Sequence, residues 1–366
     1  AGYDNYPVYT RKEATDVAYL ACARFLLSEN VRGNIFPQFA SHNAQTVTSI
    51  AVMAQHKDYE FQRLHGMGDS LYNHAMEAYQ QSVRIYAPVG SHKDLLPYLV
   101  RRLLENGANS SFVHRLVDAR CPVETLTQHP VDMLKAFDTL NNAKIPLPPQ
   151  VFPERQNSYG VNVDIESEAK PFEHSVESFL KNQWQAGPII NGQAYAESMI
   201  KENINVEAVT APYDRRIEVG QVAFATLDHV SAAIDGAQQA FAKWQTSDKA
   251  QRAAMLDKLA ELLEATLAEL VALCHQEAGK TIHDSIDEVR EAVDFCRYYA
   301  KQVDALGEIH LNGFDGQTRT VSRQGRGVFV CISPWNFPLA IFLGQITAAL
   351  VAGNTVVAKP AEQTSL

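Results

Sequence analysis

Two adjacent arginines, Arg101 and Arg102, lie inside an apolar helical run, Tyr98-Leu-Val-Arg-Arg-Leu-Leu-Glu105. Arginine stays charged and presents a planar fork of donors that matches a carboxylate. Tyr98 and Arg102 are four residues apart, and Arg102 and Glu105 three, so all three share one helix face. Arg101 points about 100° further round. Spacing alone leaves two readings open: an anion fork, or a solvated pair with a helical salt bridge to Glu105. The neighbouring segment favours the fork. Val83-Arg-Ile-Tyr-Ala-Pro-Val89 reads as a short strand, so the helix follows a strand and starts near that strand's exit.

Three strand–helix units position these residues. Residues 12–29 form a first amphipathic helix. Then come strand 35–40 and helix 43–55, strand 59–64 and helix 71–80, and strand 83–89 and helix 94–106 ending at Gly107. Repeated βα units of this length imply parallel strands with right-handed crossovers. Helical signal runs on to about Leu140. Four prolines within Pro146–Pro153 then interrupt any regular element, and a short helix is expected at Ser175–Trp184. Strands 206–212 and 219–225 follow, then helices 229–243, 248–277 and 283–304. Val328–Ile332 and Thr355–Lys359 read as buried parallel strands with a helix between them. That βαβ unit lacks G-x-G-x-x-G. The expected division is 1–118, a helical and Pro-rich connector over 119–188, and 189–366.

Composition excludes several classes. A net charge of −10 argues against a nucleic-acid face. Cys22, Cys121, Cys274, Cys296 and Cys331 are odd in number and form no CxxC pair. They fit a reducing cytoplasm better than a disulfide framework or a zinc site. Twelve histidines show no paired ligand spacing, so no metal is expected. Residues 338–353 are apolar but too short for a membrane span.

The run Tyr98–Phe112, with Phe39-Ala-Ser-His-Asn43, Phe61-Gln-Arg-Leu-His-Gly-Met-Gly68 and Tyr86-Ala-Pro-Val-Gly90, resembles the last part of a proline dehydrogenase, an FAD-dependent (β/α)8 barrel. Ile332-Ser-Pro-Trp-Asn-Phe-Pro338 and Gly353-Asn-Thr-Val-Val-Ala-Lys-Pro-Ala-Glu-Gln-Thr364 resemble the NAD-binding start of an aldehyde dehydrogenase. In series they resemble the bifunctional bacterial proline-utilization enzymes. The resemblance implies an α/β fold: the last three βα units of a barrel, a helical arm, and the start of a dinucleotide-binding domain. It also implies that the chain is an internal piece of a longer protein.

For the flavin half the resemblance implies that Arg101 and Arg102 clamp the L-proline carboxylate, that Tyr86 and Tyr98 wall the ring, and that Leu64 packs its apolar side. FAD contacts fall on Thr10, Arg11, Lys12 and Thr15, on His42 and Asn43, and on Arg102, Glu105, Ser111 and Phe112. The family's catalytic lysine and aspartate lie on earlier strands, outside these residues. For the aldehyde half, Asn336 matches the oxyanion amide, and Trp335 and Phe337 shape the site. Lys359 and Glu362 match residues that bond the adenosine ribose of NAD, and Ile332, Ser333 and Pro334 line its cleft. Glu291 is a candidate contact for the substrate amine, against the plainer reading of a helix carboxylate. None of the five cysteines stands in the nucleophile's context.

Two functional readings follow. The first is oxidation of L-proline with FAD and then of glutamate semialdehyde to L-glutamate with NAD, by a cytoplasmic homo-oligomer associated with a membrane quinone. The second is a catalytically inert structural or interaction piece. A DNA-binding repressor role would need a segment that these residues do not contain.

Overall fold

The computed structural model describes residues 2–107, 112–118 and 120–366, without the side chains of 105–107, 113, 116 and 117. The chain forms two units, Val8–Ile145 and Ala1–Pro7 with Pro146–Leu366. The division at 145/146 falls at the start of the proline run.

In the first unit, α1 (Lys12–Leu26) precedes β1 (Gln38–Ala40), α2 (Ala44–Met53), β2 (Glu60–Leu64), α3 (Asp69–Tyr79), β3 (Val83–Tyr86) and α4 (His92–Gly107). The strands pair in the order β1-β2-β3, all parallel, with Leu64 opposite Tyr86. This is the expected βα wiring of the last part of a barrel. Asn43 starts α2 by accepting the Gln45 amide at 3.0 Å, as an N-cap residue does. Phe39, Tyr59, Phe61 and Tyr72 form a buried aromatic row with centroids 5.6–6.0 Å apart, between Val47 and Ile50 of α2 and Leu20 of α1. The Tyr72 hydroxyl donates to the carbonyls of Ser41 and Gln62, which satisfies a polar group inside that core. Burial pushes its pKa up to about 12. The helical signal beyond α4 resolves into short helices α5 (Phe112–Val117), α6 (Val123–Thr127) and α7 (Pro130–Lys135), and α7 packs on α1.

In the second unit, α8 (Glu166–Phe179) corrects the expected helix at 175–184. It begins a whole turn or more before Pro171, which removes one interior hydrogen bond, and Trp184 instead opens β4 (Trp184–Ala186). Small elements β5 (Ile189–Ile190), β6 (Gln193–Ala194) and α9 (Ala196–Lys201) follow, then the hairpin β7 (Val206–Ala211) and β8 (Asp214–Ala223). β8 lies between β4 and β7. Gly220 is required there, since a Cβ would run into the Trp184 backbone.

Next comes α10 (Leu227–Trp244). The expected helix 248–277 is two, α11 (Lys249–Ala265) and α12 (Leu267–Ala278), broken at Thr266, whose hydroxyl donates to the Leu262 carbonyl at 2.9 Å. α13 (Ile282–Gln302) starts at the Thr281 cap. An exposed hairpin, β9 (Ile309–Asn312) and β10 (Thr318–Val321), leads to β11 (Val328–Ile332), α14 (Ala340–Val351) and β12 (Thr355–Lys359). β11 and β12 pair in parallel as expected, with Ile332 opposite Lys359. They are not buried as expected: Val330 is 62% and Ile332 61% exposed. A parallel strand is buried on both faces only when helices and neighbouring strands cover it. Here α10 and α14 are the helices packed on the pair.

α14 is held at both ends. Small residues Ala260, Ala292 and Ala340 bring α11, α13 and α14 close together. At the C-terminal end, buried Arg252 donates to the carbonyl of Val351 at 3.1 Å and to those of Trp244 and Ser247. A cation there satisfies carbonyls the helix leaves open.

Glu277, near the end of α12, is buried and accepts the amides of Ser365 and Leu366 at 2.7 and 2.9 Å. Burial pushes its carboxyl up to about 7, against those two donors. A folded-state pKa above the unfolded one gives stability that is complete below about 4.5 and lost as pH rises through 7. Glu277→Gln is therefore expected to flatten the fall in stability between pH 5 and pH 8, on the order of 3 kcal/mol. Urea midpoints at the two pH values check this; an unchanged slope contradicts it.

Among the described residues no helix is long and apolar enough to cross a membrane, and no group of three His, Cys, Asp or Glu is placed to hold a metal ion.

Candidate functional sites at the strand ends

The first unit gathers candidate residues at the C-terminal edge of its sheet, where barrel enzymes place substrate groups. Leu64 and Tyr86 end neighbouring strands, joined by the His65 amide donating to the Tyr86 carbonyl at 2.9 Å. His42, just beyond β1, accepts the Leu64 amide on Nε2 at 3.4 Å. Burial, and then the Arg63 charge, lower its pKa, which keeps the ring neutral and able to accept. Tyr86 reaches Tyr98 on α4 with ring centroids 6.1 Å apart. The Arg102 guanidinium lies 5.2 Å over the Tyr98 ring, a cation–π contact that orients the fork. Arg101 is exposed beside it. Tyr86, Tyr98 and Arg102 thus form one continuous row.

The other flavin candidates make their own contacts in the same unit. Lys12, Asn43 and Phe112 line one small cleft with Glu13, Asp16 and Gln45. Lys12 pairs with Asp16 at 2.5 Å. Thr10 accepts the Asn142 amide at 2.9 Å. Arg11 donates to the Asn141 carbonyl at 3.0 Å and stacks on Phe137. Thr15 lies on α1. Ser111 and the Glu105 side chain lie outside the described residues.

In the second unit, Ile332 and Lys359 end β11 and β12, and the Ser333 amide donates to the Lys359 carbonyl at 3.1 Å. Lys359 Nζ and Glu362 Oε1 are 3.6 Å apart and exposed. From this edge Pro334–Pro338 leads into α14. The Trp335, Asn336 and Phe337 side chains are exposed, and among the described residues the Asn336 carboxamide has no hydrogen-bond partner. Its backbone is held, because Lys280 Nζ donates to the Asn336 carbonyl at 3.0 Å. A cavity of about 290 Å³ opens beside this loop, lined by Lys280, Asp284, Asp287, Glu288, Glu291 and Phe337. Two sequence candidates, Glu291 and Phe337, therefore meet at one cavity. Burial first, then the Glu288 carboxylate, raises the Glu291 pKa.

Sequence reasoning missed Lys280 and Glu288. Their spacing carries no helical-face signal because Lys280 lies in the turn between α12 and α13, before the Thr281 cap, and only Glu288 is helical. It also did not quantify the cysteines. Burial pushes the thiols of Cys274 and Cys296 up to about 12 and raises that of Cys331. A thiolate is the nucleophilic form, so these three are held inert.

Comparison with known proteins agrees with both halves. Residues 1–115 match the proline dehydrogenase family, and residues 200–366 match the aldehyde dehydrogenase family. The bifunctional protein PutA of Salmonella typhimurium is 44% identical over 381 residues, all of this chain and 27% of that protein. A crystal structure of Bradyrhizobium japonicum proline utilization A is 45% identical, with a TM-score of 0.67 over 99% of this chain and 33% of that one. A 1-pyrroline-5-carboxylate dehydrogenase from Thermus, solved with bound NAD, is 26% identical, with a TM-score of 0.51 over 58% of this chain and 40% of that one. The chain thus spans about a quarter of the length of the curated bifunctional relatives it matches.

Proposed function

We propose, from a proline dehydrogenase segment followed by an aldehyde dehydrogenase segment in one chain, that these residues serve a bifunctional proline-catabolic enzyme. It oxidises L-proline to 1-pyrroline-5-carboxylate with FAD, and after hydrolytic ring opening oxidises glutamate semialdehyde to L-glutamate with NAD. The observation that carries this reading is likeness to the bifunctional PutA relatives across the full chain.

The residues present fit both cofactors. Arg11 has a buried Nε with no partner among the described residues, and with Lys12, His42, Asn43, Arg102 and Phe112 it would hold a dianionic dinucleotide. FAD supplies the two-electron acceptor. Arg101 and Arg102 bind the proline carboxylate as a fork, and Tyr86, Tyr98 and Leu64 wall the ring so that the reacting C–H bond is fixed. At the other site Lys359 and Glu362 offer a donor and an acceptor to vicinal ribose hydroxyls, and Ile332, Ser333, Pro334 and Trp335 would line the NAD cleft. NAD supplies the hydride acceptor. Asn336 donates from its carboxamide to the oxygen that gains charge as the aldehyde carbon becomes tetrahedral. Glu291, in the cavity beside Phe337, would receive the substrate's ammonium.

Electrons leaving the flavin need an acceptor. A membrane quinone serves in this reading, with the protein in the cytoplasm, held peripherally at the membrane and self-associated. The reading is tested by titrating NAD against Lys359→Ala. The variant is expected to raise KM for NAD about tenfold, the value of one hydrogen bond to a charged group, and to leave proline oxidation unchanged. An unaltered KM for NAD would remove Lys359 from the site.

A further inference from the structure

The first turns of α13 and the turn before it carry an ion pair that the proposed chemistry does not yet use. Glu288 is 1% exposed, and both its oxygens are engaged. Oε2 takes the Lys280 ammonium at 2.5 Å. Oε1 accepts the amides of Leu339 and Ala340 at 3.1 and 2.8 Å, where α14 begins. Lys280 reaches on to the Asn336 carbonyl at 3.0 Å, and its ammonium lies 4.5 Å over the Phe337 ring. Two side chains therefore end on four residues, 336, 337, 339 and 340, where the loop runs into α14.

Burying two charges is costly, and joining helices does not require it. α11, α13 and α14 already pack through Ala260, Leu263, Ala292, Val293 and Ala340. What the pair adds is a fixed backbone at Asn336 and over the residues that follow it into α14. A carboxylate at a helix N-terminus is stabilised by the helix dipole and by amides that the helix leaves unbonded, so Glu288 sets where α14 starts. Lys280 then sets the carbonyl of the residue whose side chain points free.

We infer that Lys280 and Glu288 are positioning residues for the Asn336 carboxamide, holding its loop where the oxyanion forms. This rests on the reading of Asn336 as the oxyanion donor. A donor displaced by a fraction of its hydrogen-bond length loses much of its effect on the transition state while cofactor binding is spared.

The test compares Glu288→Gln, Lys280→Arg, the neutral pair Lys280→Met/Glu288→Gln, Asn336→Ala and Asn336→Ala/Glu288→Gln in the full-length protein. Glutamine can still accept both amides, though more weakly than a carboxylate, so the neutral pair keeps α14 capped and folded while those two bonds loosen. Glu288→Gln and the neutral pair are expected to lower kcat for aldehyde oxidation about tenfold to a hundredfold, with KM for NAD within about twofold. Lys280→Arg, which keeps the cation, retains most of the rate. Amide exchange at Leu339 and Ala340 quickens in Glu288→Gln even without substrate. On the Asn336→Ala background, Glu288→Gln adds no further loss, because both act through one group. Additive losses, or an unchanged kcat in the neutral pair, overturn the positioning role and leave the oxyanion reading standing. A silent Asn336→Ala removes the oxyanion reading and this inference with it.

Discussion

Asn336→Ala is expected to lower turnover in aldehyde oxidation by about 10²–10³, the loss seen when one oxyanion donor is removed. The carboxamide is exposed at the mouth of the β11–β12 edge and has no competing partner among the described residues, while its backbone is tied down through Lys280. A donor of that kind bonds a developing oxyanion more strongly than a neutral carbonyl, so the loss falls on kcat and little on KM. Proline oxidation in the same preparation serves as the internal control, since its residues belong to the other unit. Single-turnover kinetics check the step directly. An Asn336→Ala protein with unchanged turnover would remove Asn336 from the chemistry.

Arg102→Met carries the second large effect. Losing one arm of a charge-assisted, bidentate carboxylate contact is expected to cost about a hundredfold or more in kcat/KM for L-proline. Arg102→Lys recovers little, because a point charge replaces a planar fork that lies over Tyr98. Arg101→Met is expected to weaken binding too, and the two losses are not expected to add, since one carboxylate is shared. Steady-state dye reduction across proline concentrations measures both. Equal kcat/KM in wild type and Arg102→Met would favour the solvated reading of the arginine pair.

Much of the architecture was legible from local pattern. Hydrophobic pattern placed α2, α3 and α13 to within a few residues, and the alternation of strands and helices implied the parallel β1-β2-β3 order. Helix spacing put Tyr98 and Arg102 on one face, and the resemblance added Tyr86 from the strand end. Three features were not legible. Helix α8 spans Pro171, which breaks pattern reading while costing only one hydrogen bond. The exposure of β11 and β12 depends on which elements cover them, and a strand's own sequence does not carry that. The Lys280–Glu288 pair depends on a loop some fifty residues further along the chain. Long-range polar contacts of this kind are set by tertiary packing, and no periodicity announces them.

The most direct test of the central claim supplies the full-length protein with L-proline as sole substrate, a dye as electron acceptor and NAD, and follows NADH fluorescence. The account predicts bound flavin, dye reduction, and NADH formed after a lag as the cyclic imine opens and is consumed, with Asn336→Ala slowing NADH formation by about 10²–10³ and leaving dye reduction. A protein without flavin, or one that reduces dye and never forms NADH, would contradict it.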